Sequence, residues 1–255
     1  MFLLLSTKLT LSDKYSVQSD YAMTAEIKQA ILIASRVLYA PNGITNVQEG
    51  FSGHVSHRLP PGDRYIVAGH THVDGRSTLD VDYDDLVTVV MKTGERLDGS
   101  MPLLGENVIH TGVYRARPDV NCVIHVHPFW CTVLSLTENQ VLGLPVFFTG
   151  RSQVESEEDG DALGRTLGDS FALLIPGHGV VVAADTIEQA LTSTVFLEEQ
   201  ARKIYHASVL GKIPESYLRL NTKPSRATKD GDTMQWYLKK LKEKGLYPDP
   251  PQFRA

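Results

Sequence analysis

The run Val123-Ile124-His125-Val126-His127 is β-branched and carries two imidazoles two residues apart. Side chains alternate between the faces of a strand, so His125 and His127 point the same way. Paired imidazoles on one strand face make half of a transition-metal site, and the other half must come from elsewhere in the chain. His178 is the best candidate for a third ligand. It lies where two apolar runs meet at Pro176-Gly177-His178-Gly179, and the flanking glycines allow the backbone to approach closely. Glu106 joins the set as a fourth ligand or as the group that moves a proton. It opens residues 106–114, whose spacing is helical and puts His110 one turn along on the same face. Spacing alone also fits two unrelated strand histidines, so metal chemistry requires these groups to meet in space.

Further chemistry-bearing residues lie upstream. Ser52-Gly53-His54 belongs to a glycine-containing loop that runs into an alternating strand. Such a loop offers backbone N–H donors to an anion, and His54 adds a proton donor or a positive charge. Ser52, Gly53 and His54 are therefore candidate substrate contacts, with His54 a second candidate for proton transfer. The alternative is a surface turn with an incidental histidine. His70 and His72 form another His-x-His, but in a polar loop between Gly69 and Gly75, which suits substrate contact better than metal binding. Arg58 and Arg151 are candidates, by charge alone, for gripping a substrate carboxylate, with a structural role as the alternative for Arg58.

The elements that must carry these residues follow from periodicity. Residues 24–39 space Ile27, Ala30, Ile31, Ala34 and Leu38 three and four apart, an amphipathic helix with Thr24 as its cap and Pro41-Asn42-Gly43 as its stop. Strands are predicted where the Ser52-Gly53-His54 loop runs on towards Pro60, over 64–68 and over 84–91, and Arg117-Pro118-Asp119 turns the Glu106 helix into the His125 strand. An apolar run at 141–148 precedes a short helix at 161–170. Apolar strands flank His178, and a long helix spans 186–210. A Lys-faced amphipathic helix follows at 233–241. Strands alternating with helices around one apolar core describe an α/β domain.

Composition sets bounds. With 255 residues, 42% of them hydrophobic and 22% charged, and a formal net charge of -5, the chain suits one large domain and no nucleic-acid surface. No apolar stretch approaches the ~18 residues of a membrane span. Cys122 and Cys131 do not read as a disulfide framework, which predicts a reduced, cytoplasmic setting. Residues 1–22 read as an N-terminal extension, 23–210 as the catalytic domain and 211–255 as a tail.

Together, the His-x-His strand, the preceding helix with Glu106 and the Gly177-His178-Gly179 turn resemble the class II aldolase and adducin family. The resemblance covers about residues 24–210. It implies a three-layer α/β/α fold with a central, mainly antiparallel sheet, assembled as a homotetramer with sites near subunit interfaces. It also implies that His125, His127 and His178 bind a divalent metal (zinc, manganese or iron) and that Glu106 does proton chemistry. Aldolases of the family read Ser-Gly-Asn where this chain has Ser52-Gly53-His54, and carry a phosphate-binding serine pair where it has Leu103-Leu104. Two leucines cannot donate to a phosphate, so Leu104 is expected to face an apolar or planar substrate. In those two features the chain looks like the branch that decarboxylates hydroxylated aromatic or heteroaromatic carboxylates. An aldolase or epimerase of hydroxy-carbonyl compounds is the alternative, ahead of an Fe(II) oxygenase and a non-catalytic adducin-like module. Family tails often close over a neighbouring subunit's site, which would make Tyr217, Trp236 or Tyr247 lid residues.

Overall fold

The computed structural model describes residues 11–39, 44–45, 47–48, 52–69, 75–137, 143–148, 150–151, 153–214 and 230–249. Among them the sheet has six strands: β1 (His54–Leu59), β2 (Arg64–Ala68), β3 (Leu86–Val90), β4 (Cys122–Val126), β5 (Ala172–Ile175) and β6 (Gly179–Ala184). Their order is β3-β2-β1-β4-β6-β5, and each neighbouring pair is antiparallel. The helices are α1 (Leu11–Leu38), α2 (Asn107–Ala116), α3 (Phe129–Ser135), α4 (Glu157–Leu167), α5 (Ile187–Leu210) and α6 (Asp230–Glu243). No described helix is long and apolar enough to cross a membrane.

Alternation along the strands divides the apolar residues between two cores, one on each face of the sheet. Ile66, Ile124, Leu174 and Val182 pack with α1 and α5, while Val67, Val123, Leu173 and Val181 pack with Ile109 and Val113 of α2 and Leu163 of α4. Each face is buried under helices, which makes the molecule a three-layer α/β/α structure with an antiparallel centre. The α2–α4 contact is unusually close. A side chain at Gly112, Gly160 or Gly164 would collide with backbone of the facing helix, so the two helices touch main chain to main chain.

Local signals explain where elements start. Thr186 caps α5 by accepting from Gln189 N, and Ser156 caps α4 by accepting from Asp159 N, ahead of an acidic first turn that suits the helix dipole. That cap starts α4 at Glu157, earlier than the expected Asp161, and Gly168 at φ 52° ends it. Thr24 is not a cap. Residues 11–23 contain neither Gly nor Pro, and the helix continues through them from Leu11. The strand expected from Asp84 begins at Leu86, because Asp82 and Asp85 form a reciprocal cap that winds Tyr83–Asp85 into a 3-10 turn. The apolar run at 141–148 contributes a single bridge, Val146 to Leu174, within its described part.

Candidate metal centre

β4 delivers His125 and His127 to the α2 side of the sheet, and each imidazole is held from behind. His125 is fully buried and its Nδ1 lies 3.0 Å from the Val180 carbonyl oxygen. A carbonyl only accepts, so Nδ1 carries the proton and Nε2 presents a lone pair. His127 Nδ1 is 3.2 Å from Ser52 Oγ, and its backbone N–H donates to Gln48 Oε1 at 2.6 Å. His178 arrives on a tight turn in which its N–H donates to Ile175 O at 3.0 Å, with Pro176 and then Gly177 at φ 69° in the central positions. Those are the residues a type II turn requires. A side chain at Gly179 would strike the Val126 carbonyl and the His127 ring, so only glycine lets β6 close on β4 at this point.

The result is a convergence of lone pairs. The Nε2 atoms of His125, His127 and His178 lie 3.1 Å (125 to 127), 2.9 Å (127 to 178) and 3.4 Å (125 to 178) apart. Glu106, at the N-terminal edge of α2, places Oε1 3.3 Å from His178 Nε2 and Oε2 3.7 Å from His125 Nε2. A single proton can bridge only one of these nitrogen pairs, whereas one cation satisfies all of them. Donor atoms about 2.1 Å from a tetrahedrally bound zinc stand about 3.4 Å from one another, close to the spacing found here. Glu106 Oε1 and His178 Nδ1 are buried without a hydrogen-bond partner among the described residues. The four residues could therefore hold a divalent ion.

Electrostatics points the same way. Burial, reinforced by the neighbouring histidines, pushes His125 well below its ordinary value of 6.5. Burial and then His178 push His127 down to about 4. Burial alone would raise the Glu106 carboxyl, but the neighbouring His54, His178 and His127 outweigh it and leave the group lowered. At neutral pH His125 and His127 are thus neutral imidazoles and Glu106 is a carboxylate, the protonation states that bind metal. In metal-free protein the depressed histidines take up protons on unfolding. Between 6.5, the unfolded value, and about 4, the folded value of His127, the unfolded state binds more protons, so stability falls as pH falls. The urea midpoint of chelator-treated protein is expected to drop steadily from pH 7 to pH 4. A flat profile would contradict the burial of neutral imidazoles.

The other expected site residues are distributed differently. His54 is the first residue of β1 rather than part of an open loop. It is 2% exposed, sits opposite His125 in the sheet, and holds Nε2 3.9 Å from Glu106 Oε2. Ser52 backs His127, and a side chain at Gly53 would press on the Gln48 amide. Leu104 is half-buried just before Glu106, while its neighbour Leu103 packs against the α2-side core. Arg58 is removed as a carboxylate grip. Its guanidinium donates to the carbonyls of Gly62, Tyr114, Arg117 and Val120, pinning the C-terminal end of α2 to the sheet. Arg151 is paired with Asp159 at the surface. Tyr247 packs against its own chain near Gln29, and Trp236 is 49% exposed. His70, His72 and Tyr217 lie outside the described residues.

Several residues that build the site were not singled out from the sequence: Gln48, Ser56 and Tyr114. His110 was noted only for its spacing. Two of the signals were present, since Ser56 follows His54 by two on a strand, and Tyr114 follows His110 by four on a helix.

Comparison with known proteins agrees with this fold. The family model described as Class II Aldolase and Adducin N-terminal domain matches residues 30–205. The chain is 27% identical over 196 residues to a 3,4-dihydroxyphthalate decarboxylase of Arthrobacter keyseri, an alignment spanning 69% of this chain and 77% of that protein. It is also 31% identical over 112 residues to rat (Rattus norvegicus) gamma-adducin, covering 40% of this chain and only 16% of the adducin's length. Among solved structures, an L-fuculose 1-phosphate aldolase from Glaciozyma antarctica superposes with a TM-score of 0.70 at 18% identity, covering 90% of this chain and 94% of the other. The antiparallel sheet between helical layers is the fold shared with that aldolase structure, and the chain belongs to the class II aldolase and adducin family.

Proposed function

We propose that the chain is a divalent-metal-dependent carbon–carbon lyase that decarboxylates a hydroxylated aromatic or heteroaromatic carboxylate. His125, His127 and His178 hold the ion, with Glu106 beside them. The observation that carries this reading is the convergence of three imidazole Nε2 atoms next to a carboxylate oxygen that has no hydrogen-bond partner among the described residues. Zinc, manganese and iron all suit such donors. When bound, the ion supplies a Lewis acid that offsets negative charge developing on a substrate oxygen.

Glu106, ionised at rest, takes the proton of the substrate hydroxyl. As CO2 leaves, the electron pair of the broken C–C bond stays on the ring carbon, and Glu106 returns its proton there. The carboxylate ends as it began, and the product hydroxyl regains a proton from solvent. Leu104, half-buried ahead of Glu106, offers an apolar face to a ring and no donor to a phosphate. Similarity to a decarboxylase of an aromatic diacid over 77% of that relative's length supports the same substrate class.

Metal-loaded protein offered 3,4-dihydroxyphthalate and related hydroxyaryl carboxylates is expected to release CO2. Glu106→Gln is expected to lower kcat by ~100-fold or more, the usual worth of a proton-transfer group. An aldehyde released from a sugar phosphate, with no CO2 from any aryl acid, would establish the aldolase alternative instead.

A further inference from the structure

The β4–β6 ladder stops short of two of the three histidines. Its last register pair is Val126 with Val180, so His125 is held inside the sheet opposite Val181, whereas His127 follows the end of β4 and His178 precedes the start of β6. Their Nε2 atoms nevertheless lie 2.9 Å apart. The β5–β6 hairpin shapes the turn that carries His178, and α3 connects that turn to the His127 side. At its start, α3 is continuous with His127 through Pro128. At its far end the Ser135 hydroxyl accepts the Gly177 N–H at 3.0 Å, and the Thr132 hydroxyl donates to the His178 carbonyl at 3.4 Å. Ser135 gives its own proton to the Thr132 carbonyl at 2.7 Å, which leaves a lone pair for Gly177.

The start of α3 is anchored from another helix. Pro128 stands at the N-cap position and offers no side-chain acceptor, so the first-turn N–H groups need one from elsewhere. Glu198 of α5 supplies both of its oxygens: Oε1 accepts the Trp130 N–H at 2.9 Å and Oε2 the Cys131 N–H at 3.0 Å. Glu198 is 7% exposed. Hydrogen bonds to an ionised acceptor are roughly twice as strong as neutral ones, and a carboxylate suits the positive end of a helix. A serine at 128 would also cap α3, but it would fasten the helix to nothing else. With Gln48 Oε1 on the His127 N–H at 2.6 Å, the main chain of this histidine is gripped on both sides.

We propose that α3 is a bracket that fixes the separation of His127 from His178, and that Glu198 is the positioning residue that anchors it. Glu198 acts through main chain, from the layer opposite the imidazoles. The inference rests on the metal-centre reading and extends it to a residue outside the ligand set.

Cobalt(II) is the probe, because its affinity can be titrated against a competing chelator and its visible spectrum follows coordination geometry. In the full-length protein, Glu198→Gln keeps the size of the side chain but leaves one oxygen to accept and turns an NH2 group toward the second amide. It is expected to weaken cobalt binding about 10–100-fold and to change the spectrum of the bound ion. Ser135→Ala loosens the other end and is expected to weaken binding about tenfold; it carries the test if Glu198→Gln does not fold. Thr186→Ala is the control. It removes the N-cap of α5 and lowers stability without reaching α3, so its affinity and spectrum should match wild type. Wild-type affinity with an unchanged spectrum in either folded variant would overturn the bracket and leave the metal centre intact. An equal loss in Thr186→Ala would also overturn it, by making the effect one of general stability. No cobalt in wild type would remove the centre and the bracket with it.

Discussion

His125→Ala is expected to strip the protein of its divalent ion. Reconstituted wild type should hold about one ion per chain by elemental analysis, and the variant should lose far more than the roughly 10–100-fold in affinity that follows from disturbing a residue behind a ligand. The size of the effect comes from geometry. His125 Nε2 is within 3.4 Å of both other imidazole nitrogens and 3.7 Å from Glu106 Oε2, so removing it breaks the arrangement at its centre. Ser52→Ala is the graded control, because Ser52 touches only the far nitrogen of His127. It should weaken binding roughly tenfold without abolishing it. Full stoichiometry in His125→Ala, or no ion in wild type after reconstitution, would remove the metal centre and the lyase chemistry with it.

Gly160→Ala is expected to destabilise the protein by about 2 kcal/mol or more, against the usual direction of this substitution in a helix. Replacing glycine with alanine inside an exposed helix gains about 1 kcal/mol. Here the added methyl would run into the Val108 carbonyl on the facing helix, and main chain has little room to yield. Overpacking typically costs 1–3 kcal/mol, and more where the neighbour cannot move, so the collision outweighs the gain in propensity. Urea unfolding measures the outcome. Equal or greater stability in the variant would show that α2 and α4 separate easily. Since α2 begins beside Glu106 and carries His110, a forced separation should also lower kcat.

The cluster of His125, His127, His178 and Glu106 was legible in part because its turns and spacings are written locally. A strand's period of two puts His125 and His127 on one face, and the Pro-Gly-His-Gly string is its own turn signal. Caps were poorly readable: Thr24 was named as one and lies inside a helix, the helix start at Thr186 was placed without its cap being named, and Ser156 and the Asp82–Asp85 pair were overlooked and moved two element starts. The three-layer fold came from resemblance, not from periodicity. Strand order could not come from local pattern, since β1 lies between β2, its hairpin partner, and β4, more than sixty residues away. The same distance hid the buried hydrogen-bonded line of His54, His110, Ser56 and Tyr114. Each spacing was visible on its own element, but nothing local says that the polar face of β1 rests against the polar face of α2. Arg58 shows the reverse case, in which charge suggested a ligand contact, a structural role was the alternative, and packing made the residue a clamp on carbonyls.

Register also limits how the gene can vary. His54 faces His125 across an antiparallel pair in which alternate residues serve opposite layers. A one-residue insertion or deletion inside either strand would turn its polar side chains into the aliphatic layer beneath α1 and α5 and bring Val55 or Ile124 to the candidate metal site. Length can change only where the alternation has already ended, as at the exposed Pro60-Pro61 turn. Along β1 and β4, then, a lineage keeping this chemistry can exchange letters but cannot add or lose one.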